Sequence, residues 1–468
     1  MPFAARSWQV HAAEIPCRMS KRIAWGAGRS WWRAAERLTA AMLLIVVAMA
    51  PLRAQTSPAD IRPSASAIDL RDALAMARAR GPLHRLADAR EQTAIGRVRE
   101  STQWANPSLE WRRENLGSAL QPDIFTTAYV PFDFSGRRVA LRQSAAAGTT
   151  RAHGERLTDW RSADLDVARG WLRAAQASGQ LAVMEQQAEA LRQIAAVDAA
   201  RLREGLVSEA VGLRTSLEAD RARIALVRSG TEAASARTEL ARLLGLSPTE
   251  PLMVQALAAP ILPEAPDSTE LLTVAVAARP EIRAREAFVR ETERRLAAEQ
   301  RGVFGEVQLQ GGTKETSGVM TGQVGIAMPL PFFNRNDGAR QRARGESMEA
   351  RLQLEDARRS VHGAVRVALL HYRSLRATQA DAITFGARGR DVGEIARTAY
   401  REGHISLTEL LDAERAAADA MHAHLQWLVD AWLARLELER AIGARLDADS
   451  PLDLPLLSPL LSALAPGR

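Results

Sequence analysis

Two carboxylates with useful spacing are Glu409 and Asp412. They lie three residues apart at the start of a segment with helical periodicity, which puts both on one helix face. Such a pair, repeated around a narrow axis by several copies of a chain, forms an acidic ring. Rings of this kind favour cations and raise the pKa of their members by mutual repulsion. A single pair also suits the positive end of a helix dipole, the plainer reading. The other titratable groups suggest less. His422 and His424 are two apart and point to different sides of a helix. His362 and His371 are nine apart and do not converge. There is no HExxH, no histidine tract, no nucleotide loop and no triad pattern, so no catalytic residue, cofactor or metal ligand is expected. The only cysteine, Cys17, excludes a disulfide framework.

The carboxylates follow a stretch that occurs twice. Arg203-Glu204-Gly205 aligns with Arg401-Glu402-Gly403, and Ser208 aligns with Ser406. Glycine leaves a helix through a left-handed backbone, and a serine three residues later caps the next helix. Each copy therefore reads as the tip of a helical hairpin. The arms are long: the pattern stays helical over about 138–203, and about 65 residues span roughly 100 Å. Arg/Glu alternation along these arms, such as Glu291 and Arg295, reads as a solvated face with i,i+4 support.

The whole order repeats. Helices over 68–80 and 83–103 precede period-two strands over 107–113 and 124–130. The long helix, the first tip and a helix from 208 to about 245 follow. After a linker with five prolines, short helices over 268–278 and to about 300 lead to strands over 303–310 and 322–328, with a Gly/Thr/Ser loop at 311–318. A long helix over 340–402, the second tip and a helix from 406 to about 443 complete the copy. The expected divisions are a signal peptide (1–54), an N-terminal linker (55–67), repeat 1 (68–246), a Pro-rich linker (247–267), repeat 2 (268–445) and a disordered C-terminal tail (446–468). The apolar run 38–50 has the flanks of a secretory signal rather than a membrane anchor, with Met19 as an alternative start.

The chain has 468 residues, 47% hydrophobic and 25% charged, so it is a folding sequence. Its net charge of +7 does not argue for nucleic acid, because residues 1–54 carry +6 of it. Four strands cannot close a barrel, and open edges cannot sit in lipid. Three chains would supply twelve strands, an even and closed number. Trp104, Trp111 and Tyr129, at or within the strands, suit an aromatic interface belt or ordinary strand packing.

Residues 68–445 resemble the outer membrane factors, the TolC-like channel-tunnels of efflux and secretion systems. The resemblance rests on the duplicated order, on Tyr-x-x-Gly-x-x-Ser-x-x-x-x-Leu-Asp-Ala at Tyr400–Ala413, and on its degenerate copy at Leu202. The segment Pro329-Leu-Pro331-Phe-Phe-Asn334-Arg335-Asn336-Asp-Gly338 looks most like the heavy-metal, CzcC-like branch. The resemblance implies a mainly α fold with a small β part: a homotrimeric 12-stranded membrane β-barrel on a long α-helical barrel. It implies an outer membrane location, with the helical tunnel in the periplasm. It implies a passive exit duct that is no enzyme, docking a periplasmic adaptor and an inner-membrane RND pump and exporting heavy-metal cations. Drug efflux and type I protein secretion are the alternatives; a periplasmic adaptor would need a β domain that the sequence lacks. Adaptor docking falls to Gly205, Leu206, Val207, Gly403, His404 and Ile405, and a periplasmic gate to Tyr400, Glu409 and Asp412. The family's gate arginine position holds Ile405, and Val211 stands where a partner acid would be. An acidic and apolar constriction is thus expected in place of a Tyr–Arg–Asp latch.

Overall fold

The computed structural model describes residues 67–115, 122–248, 250–304 and 307–464. The expected leader (1–54) and nearly all of the N-terminal linker lie outside them. In repeat 1, helices α1 (Leu70–Arg80) and α2 (Pro82–Thr102) precede strands β1 (Ser108–Arg113) and β2 (Ile124–Phe132). Helices α3 (Arg137–Arg203) and α4 (Glu209–Leu244) follow. In repeat 2, α5 (Ser268–Ala278) and α6 (Pro280–Arg301) precede β3 (Val307–Thr316) and β4 (Val319–Ala327). Helices α7 (Asp337–Ala377), α8 (Gln379–Arg401), α9 (Leu407–Ile442) and α10 (Leu457–Leu464) complete it.

Local chemistry sets these limits. The Asp69 side chain accepts the Asp72 amide at 2.7 Å and caps α1. Gly81-Pro82 ends it, since proline suits only a first helical turn. Helices α4 and α9 end on Gly245 and Gly443, both at φ +72°.

The four strands form one antiparallel sheet in the order β1-β2-β3-β4. The register sets Leu109, Ala128, Gly311 and Val324 in one row, with Glu110, Thr127, Gly312 and Gln323 in the next. Strand alternation then separates two faces. One carries exposed Leu109, Trp111, Val324 and Ile326. The other is polar: Tyr129 donates to Glu110 at 2.6 Å, Gln323 donates to Thr127 at 2.7 Å, and Arg112 and Lys314 each lie 5.0 Å from the Phe125 ring centroid. Among the described residues, strands β1 and β4 are free edges.

Four expectations are corrected. Residues 311–316 are strand, not loop. Gly312 lies where a side chain would strike the β2 backbone, and the reversal is a two-residue turn at Ser317 (φ +51°) and Gly318 (φ +82°). The second long helix is interrupted at Thr378, whose hydroxyl accepts the Trp427 indole N–H at 3.2 Å. The next residue, Gln379, donates to the Pro260 carbonyl at 3.3 Å. Residues 446–464 are packed. Leu452 and Leu454 enter the core formed by α1, α3 and α4, Leu457 enters that of α5, α7 and α9, and Arg445 pairs with Leu456. Finally, Glu291 bonds Arg151 on α3 at 2.7 Å and makes no pair with Arg295.

The Pro-rich linker is a strap rather than a spacer. Val254 bridges Ile68, and side chains of repeat 2 hold its carbonyls: Trp432 takes Ala258 at 2.8 Å, Arg435 takes Ile261 at 2.6 Å and Tyr372 takes Pro263 at 2.6 Å. These bonds satisfy backbone groups that a strand ladder would otherwise claim.

Candidate functional site at the paired tips

The two tips share one geometry. At the first, the Gly205 amide reaches Leu202 O (3.0 Å) and the Leu206 amide reaches Arg201 O (2.8 Å). At the second, Gly403 reaches Tyr400 O (3.1 Å) and His404 reaches Ala399 O (2.8 Å). Gly205 and Gly403 sit at φ +73° and +79° with open space about them. The glycines are therefore required by the backbone and not by crowding. Leu206, Gly403 and His404 are exposed, Val207 and Ile405 half-buried. His404 faces Glu402 at 3.4 Å. Only the second serine caps as expected: the Ser406 amide donates to Glu409 at 2.7 Å and the Glu409 amide to the Ser406 hydroxyl at 3.3 Å, a capping box. Ser208 holds the N-cap position without a side-chain bond.

The gate residues separate. Glu409 is engaged by the capping box, whose hydrogen bonds to Ser406 hold its carboxyl below the ordinary value. Asp412 is exposed and loosely paired with Arg415 at 3.7 Å. Tyr400 is buried and donates to Asp198 Oδ2 at 2.7 Å. Burial first, then Asp198, pushes its pKa up to about 12. Arg201 lies 3.7 Å from Asp198 Oδ1 and 5.7 Å from the Tyr400 ring centroid, and donates to the Arg401 carbonyl at 3.1 Å.

A Tyr–Asp–Arg cluster thus exists, contrary to expectation. Its acid and arginine come from the first hairpin, at the end of α3, and it ties one tip to the other. Around it pack Leu191, Ile194, Ala396, Leu407, Leu410 and Leu411, with Val211 and Ile405 alongside. Asp198 was hidden in the sequence because it reads as one more polar position on a long helix. Only its spacing before Arg201, one turn from the tip, sets it apart.

Within the second hairpin, Arg397 grips Glu414 with both carboxylate oxygens (2.9 and 3.2 Å). Burial pushes the Glu414 carboxyl up, against the pull of Arg397. A carboxyl whose folded pKa lies above its unfolded one contributes most below the unfolded value, and that contribution is lost as pH rises through the folded value. Glu414→Gln should therefore melt progressively closer to, or above, the wild type as pH rises from about 4.5, the ordinary glutamate value. Melting curves from pH 4 to 7 provide the check; parallel pH profiles for the two proteins would sink the assignment.

The histidines do not converge: His424 Nδ1 donates to the Ala382 carbonyl at 3.0 Å. Among the described residues no three His, Cys, Asp or Glu side chains are placed to hold a metal ion. Of the aromatics, Trp111 lies on the apolar sheet face, Tyr129 turns to the polar face, and Trp104 lies under the Arg138 guanidinium at 3.8 Å.

The described residues thus form a small sheet with one apolar face and two edges unpaired among them, joined to two long helical hairpins. Residues 271–444 match the family described as outer membrane efflux protein. Three solved channels share the fold. CusC is 20% identical, covering 80% of this chain and 92% of that one at TM-score 0.66. CmeC of Campylobacter jejuni is 15% identical (80% and 85%, TM-score 0.68), and VceC of Vibrio cholerae is 17% identical (81% and 97%, TM-score 0.66). No curated protein matches in sequence. The fold is that of these outer membrane channels, and the family match spans repeat 2.

Proposed function

We propose that three copies of this chain close a twelve-stranded barrel above a helical tunnel, and that the assembly is the exit duct of a tripartite efflux system. The observation that carries this is the sheet. Among the described residues edges β1 and β4 have no partner, and an unpaired edge in lipid leaves each amide and carbonyl unsatisfied at several kcal/mol. The helices also leave apolar stripes exposed, Leu213, Leu217, Ile224 and Val227 on α4 and Phe385, Val392 and Ile395 on α8, which suit neighbouring copies. Purified protein should have the mass of three chains and give discrete conductance steps in planar bilayers. A stable monomer that forms no pore would overturn the reading.

In this assembly the tips Gly205, Leu206, Val207, Gly403, His404 and Ile405 meet a periplasmic adaptor coupled to an inner-membrane RND pump. Tyr400, with Asp198 and Arg201, holds the two tips together, while Glu409 and Asp412 of three copies place six carboxylates near the axis. Gly205→Trp/Gly403→Trp should abolish export and leave trimer insertion intact. Gly205→Asn/Gly403→Asn, which tolerates the left-handed backbone, should retain export. Export that survives the tryptophans would remove the docking role. For cargo, the segment 329–338 favours divalent heavy-metal cations. Deleting the gene should then sensitise its host to zinc, cobalt or cadmium salts, and unchanged tolerance would remove that cargo without touching the duct. A second reading, an organic cargo, is favoured by a groove on the wall of the helical layer.

A further inference from the structure

That groove, of about 710 Å³, lies between α2, α3 and α6, and five arginines and three glutamates line it. The charges do not cancel. Glu155 and Glu291 are held by Arg151 at 2.9 and 2.7 Å, and Glu299 by Arg137 at 3.3 Å. Arg90 is matched by Asp159 at 3.0 Å. Among the described residues, neither Arg97 on α2 nor Arg295 on α6 makes a hydrogen bond or an ion pair within 4 Å, although the Arg295 charge reaches Glu299 electrostatically. They bring two guanidinium groups without a close partner to one groove, from α2 and from α6. The lining also includes apolar Leu86, Val98 and Leu141, beside Thr93, Ser101 and Ser144.

The groove lies where α2 and α6 both come close to α3. A side chain placed at Gly148 of α3 would touch Val98 of α2 at 3.1 Å and Glu291 of α6 at 3.4 Å, so both flanking helices reach α3 from the same side.

We propose that this groove is a recognition site of the duct for amphiphilic organic anions: an apolar body with a sulfonate, carboxylate or phosphate group. The volume is in the range of pockets that hold drug-sized molecules. Guanidinium forks match planar or tetrahedral oxyanions, and the leucine and valine side chains of the lining suit an apolar body. A bare metal cation is repelled here, so the site serves the organic-cargo reading and rests on the duct proposed above.

The test is calorimetric titration of 1-naphthalenesulfonate into the purified, detergent-solubilised full chain. Binding should be saturable and weakened at least tenfold in Arg97→Gln/Arg295→Gln. Arg97→Lys/Arg295→Lys, which keeps both charges, should retain it, and 1-naphthylmethylammonium, the cationic counterpart, should not bind. Neither arginine makes a side-chain hydrogen bond or an ion pair within 4 Å, so the variants should melt close to the wild type. Equal affinity of wild type and glutamine variant, or equal binding of the cation, overturns the proposal. Bilayer recordings separate it from the duct: pores without a binding difference sink the groove alone, and binding without pores sinks the duct.

Discussion

Arg435→Leu is expected to lower stability by about 3–5 kcal/mol, the cost of leaving a buried charge without its partner. The Arg435 side chain is 2% exposed. Its guanidinium spans three parts of the chain: Ile261 O of the linker at 2.6 Å, Asp447 of the C-terminal segment at 2.5 Å, and Glu439 one turn on in α9 at 3.5 Å. Glu439 is fully buried and also accepts the Ser450 hydroxyl (2.5 Å) and the Leu446 amide (3.1 Å). Burial pushes its carboxyl up even with these bonds in place.

Leucine would strand that carboxylate and free both the linker carbonyl and Asp447. The measurement is the temperature at which the purified protein loses its helical signal. A large fall is expected for Arg435→Leu, and a smaller fall than the sum of the single changes for Arg435→Leu/Glu439→Leu, because contacting groups are not additive. An unchanged midpoint in Arg435→Leu would mean that the network holds nothing.

The same network explains a limit of the sequence. Its members, Ile261, Arg435, Glu439, Asp447 and Ser450, fall in three segments that look unrelated in composition. The Leu/Pro run after 446 has no helical or strand period, and period is what reveals an element. Its order comes from leucines placed in two cores and from one ion-pair network. The duplication, by contrast, was legible because a left-handed turn demands glycine at 205 and again at 403. The helices were legible wherever apolar residues recur at helical spacing.

The break at Thr378 was not legible. No proline or glycine marks it; a hydroxyl meeting Trp427 and an amide meeting the Pro260 carbonyl do. At the tips, Tyr400 was found through its motif. Asp198 and Arg201 were missed because their partner lies some 200 residues away and helical periodicity reports only local neighbours. The groove cations were missed for the related reason that Glu291 looked paired with Arg295, its i+4 neighbour, when Arg151 of another helix takes it.

The glycine pair in β3 gives the sharpest test of how the sheet is built. Gly311→Val should be tolerated, and Gly312→Val should abolish assembly. A side chain at Gly311 meets nothing within 4 Å and points to the apolar face, in the row of Leu109 and Val324. At Gly312 a Cβ would lie 2.1 Å from the Thr126 carbonyl oxygen and 2.7 Å from the Thr127 Cα. Those are backbone atoms of β2, with no flexible end to move aside. It would also obstruct Gln323 of β4, whose amide crosses β3 at this level to reach the Thr127 hydroxyl at 2.7 Å. Strands β2 and β3 form the seam between the two repeats, so pushing them apart separates the hairpins rather than bending one. A barrel with an open seam exposes unpaired backbone to lipid at several kcal/mol per group, far beyond what side-chain packing restores. The measurement is the fraction of chain recovered in outer membranes as a heat-dissociable oligomer. Near wild-type recovery is expected for Gly311→Val and none for Gly312→Val, with Gly312→Ala also strongly reduced. Full recovery of Gly312→Val would show that the β2–β3 seam does not hold the repeats together.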